Sequence, residues 1–393
     1  MIRKLSAHYI FPVKGNPIKR GIVVVDDAGV IRDIIDNQGN LQESEGLEFY
    51  DGIITPGFVN THTHIELSHL HHKIDQHTGL AGFLRSVGKL RNLSGQEAAI
   101  VAADKAMLEN GIVAAGDISN TNASFTVKTT SKIEYYTFIE VFGIQKSIAQ
   151  ERFESAVHLF KTLQALGLPG AVTPHAPYSI STALWSLLLE FAVKNNLTWS
   201  VHNQESNDEN LLFINKTGEI AAFLSSITDE FEEWEKKGVS SLPNCSQYYT
   251  DIPQLLLVHN TFTSLDDLLS ISHLQNKTTL VLCPNANLYI ENRLPDIPML
   301  AKSGFAIALG TDGLSSNTRL SILEEMKTIA DLFPHIALND LITWATLNGA
   351  KALGFDSKLG SIEKGKTPGL NLITNINFSE MKLTSQSEVN VLV

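Results

Sequence analysis

The sequence predicts an α/β protein: a (β/α)8 TIM barrel over residues 56–350, with a small β-sandwich built from both chain ends, 1–55 and 351–393. Three observations carry this. Short apolar runs and helical runs alternate eight times through the middle of the chain. The two ends are β-rich instead. The apolar runs of the middle break into histidine, glutamate or aspartate where they end.

The first 55 residues contain GIVVVDDAGVIRDII, which alternates about Asp26-Asp27-Ala28-Gly29, a hairpin signal. The eight runs that follow are IITPGFVNTH, IVAAGDIS, YYTFIEVFG, GAVTPHAPYS, LTWSVHNQES, LLLVHNTF, TLVLCPNAN and FAIALGTDG. In the first, Pro56 marks the strand entry and Gly57 lets the chain pass tightly. Ser94-Gly95-Gln96-Glu97 has capping-box spacing and opens the helical run AAIVAADKAMLENG, which ends at Gly111. SISTALWSLLLEFAVKNN, DDLLSISHL and LSILEEMKTIADLF are further helices. Residues 207–250 exceed a normal connection and hold their own helix, EIAAFLSSITDEFEEWEKKG, so they read as an insertion after the fifth strand. The C-terminal LGSIEKGKTPGLNLI and VNVLV return to extended structure. A doubly wound open sheet is the alternative arrangement of the middle.

Composition narrows the function classes. The chain has 393 residues, 43% hydrophobic and 18% charged, which suits a globular protein with a large core. A formal charge of −12 argues against nucleic acid or an anionic membrane surface as partner. Two distant cysteines, Cys245 and Cys283, are no disulfide framework and point to a reducing cytoplasm. The start, MIRKLSAHYIFPVKGNP, lacks the apolar core and cleavage site of a secretory signal. The expected partners are a small-molecule substrate and water, with a homodimer compatible.

The polar breaks carry the chemistry. The first run ends in His62 and His64, the fourth in His175, the fifth in His202 and Glu205, the sixth in His259, the eighth in Asp312. In a (β/α)8 barrel these ends share one face. A lone histidine is more often a satisfied core or surface residue; five strand ends with such side chains are less easily chance. Residues i and i+2 of a strand share a face, so His62 and His64 can bind one ion, although His-x-His also recurs by accident in a histidine-rich stretch. His202 can complete a three-histidine site. Asp312 can bind the ion weakly and accept a proton from water; its bland alternative is a turn aspartate. Glu205, just past its strand end, can shuttle protons, or be an ordinary exposed glutamate. His259 can be a ligand or can orient water. Zn²⁺ suits these donors best, and Fe²⁺ fits them too. The fourth run has no Lys or Glu to bridge two ions, so one metal is expected, with His175 a substrate contact. His69, His71, His72 and His77 fall in the loop after the first strand, as part of a lid or, for at least two of them, solvated.

Taken together, PGFVNTHTH, HNQE, LLVHN, CPNAN, LGTDGLSSN and WATLNGAKALGF…LGSIEKGK make the chain resemble the amidohydrolase superfamily. The resemblance covers nearly the whole chain and is to the branch of mononuclear nucleobase and triazine deaminases. It implies the barrel and the terminal sandwich. It implies His62, His64, His202 and Asp312 as metal ligands, Glu205 as proton shuttle and His259 as the residue that orients water. Within the branch, His64-Ile65-Glu66-Leu67-Ser68 and His175-Ala176-Pro177-Tyr178-Ser179 look most like the aminodeoxyfutalosine deaminases of menaquinone biosynthesis. Ala286 stands in CPNAN where a serine is usual, and KTPGLNL lacks the usual aspartate.

The expected reaction is hydrolytic deamination of a 6-aminopurine nucleoside-like substrate. Glu66 is a candidate for a ribose hydroxyl, or equally a structural hydrogen bond. Arg85, Asn287 and Arg293 are candidates for a carboxylated tail, with a solvated helix residue the plainer reading of Arg85. Two other readings stand beside it: a guanine or cytosine deaminase or triazine chlorohydrolase on the same metal, and a non-enzymatic binding protein.

Overall fold

A computed structural model describes residues 2–42 and 45–393. Both chain ends enter one seven-stranded sheet. From the N-terminus come β1 (Ile2–Ile10), β2 (Ile18–Lys19), β3 (Ile22–Asp26), β4 (Ile31–Ile35) and β5 (Leu47–Pro56). The strand order is β15-β14-β5-β1-β3-β4, with β2 on β1, where β14 is Leu370–Thr374 and β15 is Glu388–Val391. The hairpin read at Asp26 is present: its Oδ1 accepts the N–H groups of Ala28 (3.0 Å) and Val30 (2.9 Å), an Asx turn joining β3 to β4. Leu5, Val23, Val25 and Ile31 pack with Ile362 and Leu370 in a core of their own, separate from the main one.

The chain leaves this sheet at Gly57 and at once begins β6 (Phe58–Thr63). A Cβ at Gly57 would lie 2.3 Å from Val113 Cγ1 and 2.9 Å from the Pro368 carbonyl, so only glycine fits the crossing. Gly57→Ala is therefore expected to cost about 1–3 kcal/mol by overpacking, read as a lower denaturation midpoint in urea.

The middle of the chain forms two four-stranded parallel sheets. One is β6, β7 (Ile112–Ser119), β8 (Glu134–Val141) and β9 (Gly170–Pro174). The other is β10 (Trp199–Asn203), β11 (Leu255–His259), β12 (Thr278–Leu282) and β13 (Ala306–Leu309). Hydrogen bonds join the sheets at both edges: His202 N–H donates to the His175 carbonyl (2.9 Å), and Thr311 and Asp312 N–H both donate to the His62 carbonyl (3.1 Å). Their strands read as continuous apolar runs because both faces are covered, as in Leu255-Leu256-Leu257-Val258, where every residue is fully buried.

Helices fill the connections. They are α1 (Gly79–Leu90), α2 (Gln96–Glu109), α3 (Phe125–Thr130), α4 (Ala149–Ala165) and α5 (Thr182–Asn195) before β10. Three more, α6 (Asn207–Asn215), α7 (Glu219–Ile227) and α8 (Ser241–Tyr249), make up the insertion. The helix expected over 219–238 stops at Ile227, because Thr228 turns extended and its hydroxyl accepts the Glu230 N–H (3.1 Å). The expected capping box at Ser94 does not form. Gly95, at φ 95°, takes the cap position and leaves Ser94 one residue outside. Cys245 and Cys283 are buried and free, and no helix among the described residues is long and apolar enough to cross a membrane.

Candidate metal centre

The polar strand ends converge. His62 is the penultimate residue of β6 and His64 stands one residue beyond its end, with their Nε2 atoms 3.1 Å apart. His202 on β10 brings its Nε2 to 3.4 Å from that of His64. Asp312, three residues past β13, places Oδ1 at 3.5 Å from His62 Nε2 and 3.3 Å from His64 Nε2. A tetrahedral ion bonded at 2.0–2.1 Å keeps its ligand atoms roughly 3.3–3.4 Å apart. His62, His64 and Asp312 are therefore spaced to hold a Zn²⁺-sized cation, and His202 reaches the same group through its contact with His64. His259 joins the rim, with His62 and His202, with ring nitrogens all within 4.8 Å.

Supporting bonds fix which atoms face inward. His202 Nδ1–H donates to the His175 carbonyl (3.0 Å), leaving the Nε2 lone pair for an ion. His259 Nδ1–H donates to the amide oxygen of Asn287 (2.9 Å). Asn287, read from sequence as a tail contact, instead holds His259. Ser316, in the GLSSN segment, donates its hydroxyl to Asp312 Oδ2, so Oδ1 is the oxygen turned to the imidazoles. Asp117 Oδ1 accepts the Ile65 N–H (2.9 Å), pinning the residue after His64, and the fully buried Lys128 neutralises Asp117 at 2.6 Å. His259 (φ 73°) and Asp312 (φ 56°) both take left-handed backbone, a strain typical of functional positions.

Burial sets the charges. It pushes His62 down to about 4 and His202 well below its ordinary value, so both are neutral and free to bind a cation. It works against the charge of Asp312, yet the contact with His62 and the fields of the His64 and His259 rings hold that carboxyl well below its usual range. Glu205 goes the other way. Burial, then the charges of Asp312, Glu291 and Glu140, push it well above the ordinary carboxyl value, so it keeps its proton. Its Oε1 lies 3.6 Å from His259 Nε2.

These groups open onto a cavity of about 420 Å³ whose wall includes His64, His175, His202, Glu205, His259 and Asp312. That volume lies in the range that encloses a small ligand, about 300–1,000 Å³. His175 lines it, its Nδ1 beside the Ser179 hydroxyl at 2.9 Å. Two expected substrate residues do not. Glu66 is buried, and its carboxylate accepts the Asn120 N–H (3.0 Å), the Thr121 N–H (3.2 Å) and the Thr121 hydroxyl (2.9 Å). Burial, then Asp117, raise its carboxyl to about 7. Arg85 lies outside the wall, 3.6 Å from Glu219 Oε2 on the insertion. The cations on the wall are Arg91 and Arg152, and neither makes an ion pair among the described residues. His69 is buried, its ring nitrogens against the carbonyls of Glu66 (3.1 Å) and Arg91 (3.0 Å), whereas His72 and His77 are exposed.

Residues 53–390 match the model of the amidohydrolase family. The chain belongs to the amidohydrolase family. It is accordingly a hydrolase acting on carbon–nitrogen bonds, and its two parallel sheets are an α/β fold of the TIM-barrel type. The chain is 28% identical to an adenosine deaminase of Helicobacter pylori, over 87% of this chain and 82% of that one. It is 27% identical to an aminodeoxyfutalosine deaminase of Nitratiruptor sp., over 82% of this chain and 79% of that one. The crystal structure of Helicobacter pylori aminofutalosine deaminase in complex with methylthio-coformycin superposes with a TM-score of 0.81 at 26% identity, over 96% of this chain and 94% of that one.

Proposed function

We propose that this amidohydrolase is a metal-dependent deaminase of adenosine-like nucleosides, replacing the exocyclic amine of a 6-aminopurine by oxygen and releasing ammonia. The observation that carries the reading is that His62, His64, His202 and Asp312 gather at the strand ends beside the buried Glu205, whose carboxyl is pushed well above its ordinary value, on the wall of one cavity. The relatives' names for their own activities point the same way. The eight parallel strands read as one closed barrel over 56–350. The sheet of both chain ends reads as a sandwich, 1–55 with 351–393, which its separate core supports.

His62, His64, His202 and Asp312 would hold the cation, Zn²⁺ by donor type and spacing. When bound, it acidifies water and stabilises negative charge. Asp312 accepts the proton of the attacking water, and His259, fixed by Asn287, orients that water. Water adds to the ring carbon bearing the amine. Glu205 gives its proton to the adjacent ring nitrogen, so the ring carries no full negative charge as that carbon becomes tetrahedral. The Glu205 carboxylate then takes the proton of the new hydroxyl as the C–O bond becomes a carbonyl and passes it to the amine, which leaves as ammonia. The proton held by Asp312 returns to Glu205 and restores both groups.

The finer reading is a substrate with a carboxylated tail, as in aminodeoxyfutalosine. The apolar wall of Leu80, Phe83, Phe142, Phe223 and Ile227 suits an aromatic or aliphatic extension. Arg91 and Arg152, lacking acidic partners, suit its carboxylate. Ammonia release from a panel containing adenosine, aminodeoxyfutalosine, guanine, cytosine and a chlorinated triazine tests both levels. Absence of turnover on every 6-aminopurine nucleoside would overturn the reading. Arg152→Ala is expected to raise KM for the carboxylated nucleoside about 10–100-fold, the worth of one charged hydrogen bond, and to leave adenosine unchanged. Equal effects on both would remove Arg152 from tail recognition.

A further inference from the structure

We infer that Glu140 is a positioning residue for His202, and that Asn120 ties it to the segment bearing His64; this rests on the metal-centre reading above. Glu140 ends β8, and its side chain is only 5% exposed. Its Oε2 accepts the Asn120 side-chain N–H at 3.0 Å. Its Oε1 has no hydrogen-bond partner and lies 3.5 Å from His202 Nδ1. Among the described residues no lysine or arginine pairs with it.

A buried carboxylate without a cation is expensive. A cation held by His202 Nε2 would lower that expense by making the ring more positive at Nδ1, which lies 3.5 Å from Glu140 Oε1. The effect is mutual. The carboxylate holds the tautomer that leaves Nε2 free and makes the ring a better donor to the metal. The His175 carbonyl accepts the same Nδ1–H (3.0 Å), so it sets the ring's direction, while Glu140 supplies the charge.

Asn120 extends the device. Its backbone N–H donates to Glu66 Oε2 (3.0 Å), and Glu66 is two residues beyond His64. Glu66, Asn120 and Glu140 therefore form one polar chain from the segment that carries His64 to the ring of His202. Asn120 and Glu140 also line both the main cavity and a recess of about 220 Å³ beside it, so a substrate contact is the competing role.

Zinc affinity of the metal-stripped full chain, measured by competition with a chromophoric chelator, separates the two. The parent is expected to bind one ion, and Glu140→Gln to bind it about 10–100-fold more weakly, the usual loss when a ligand's carboxylate support is removed. The melting temperature of the metal-free variant should be unchanged or raised, since an unpaired buried charge is gone. Glu140→Asp should recover part of the affinity. An affinity of Glu140→Gln within about twofold of the parent overturns the inference, and a rise in KM alone would then assign the carboxylate to the substrate. Asn120→Ala leaves the charge but frees it, so a smaller fall is expected. If Glu140→Gln does not fold, Asn120→Ala decides, and an unchanged affinity overturns the inference. A parent chain that binds no zinc overturns the metal reading itself and this inference with it, a result plainly different from a parent that binds and a variant that binds equally well.

Discussion

Glu205→Gln is expected to bind zinc as the parent does and to lose about 10²–10⁴-fold in deamination rate, the usual worth of a positioned general acid–base group. The amide keeps the size of the side chain and a hydrogen-bonding end, so the cavity and the metal ligands are undisturbed. What it lacks is a transferable proton. Burial and the neighbouring acids hold the native carboxyl protonated, so it can hand a proton to the ring nitrogen at the moment the adjacent carbon becomes tetrahedral. Glutamine can hydrogen-bond to that nitrogen but cannot give up the proton. The loss should therefore fall on kcat more than on KM. Steady-state ammonia release, with zinc content measured on the same samples, checks it. Near-normal turnover would remove Glu205 from the chemistry.

The strand ends were legible because each one interrupts an apolar run with a residue that an apolar interior does not tolerate unpaired. That logic located His62, His64, His202, His259 and Asp312, which the fold brings together in two groups of three that share His62. The same logic holds for the second and third runs, IVAAGDIS and YYTFIEVFG, where Asp117, Asn120 and Glu140 lie within the run or just past it. Glu66 takes the second of its two readings, a structural hydrogen bond, for a geometric reason. Alternation would put it on the face of His62 and His64, but the strand stops at Thr63 and a helical turn over Ile65–Leu70 rotates its side chain away. Arg85 takes the plainer of its two readings, a solvated helix residue, by helical phase. Leu80, Phe83, Leu84, Val87, Gly88 and Arg91 all line the cavity at i, i+3, i+4, i+7, i+8 and i+11, a single helix face, and Arg85 sits one step off it. That periodicity was in the sequence. The bond from Asn287 to His259 was not, because it joins one strand end to the helix that follows the next strand, and only the folded chain makes them adjacent.

Asp312→Asn should be the most damaging single change at the centre, and its damage should have two separable parts. The first is lost affinity. In the metal-free chain Asp312 is a buried carboxylate held well below its usual range, and a divalent cation bound beside it relieves the cost of burying that charge. Binding of an ion to the folded chain alone must then stabilise it. At a free concentration 100 times Kd the gain is about 2.7 kcal/mol, or roughly 3 °C in melting temperature for a chain of this size. Asparagine lacks the charge, so zinc should raise the melting temperature of the variant far less at the same concentration. The second part is lost proton transfer. His64→Asn also weakens the metal site but leaves the Asp312 carboxylate to accept the water's proton. At zinc concentrations high enough to load both variants, His64→Asn should regain measurable turnover, while Asp312→Asn should stay about 10²–10⁴-fold below the parent. Equal recovery of the two would confine Asp312 to holding the metal. Failure of zinc to raise the parent's melting temperature would dismiss the cation from the site altogether.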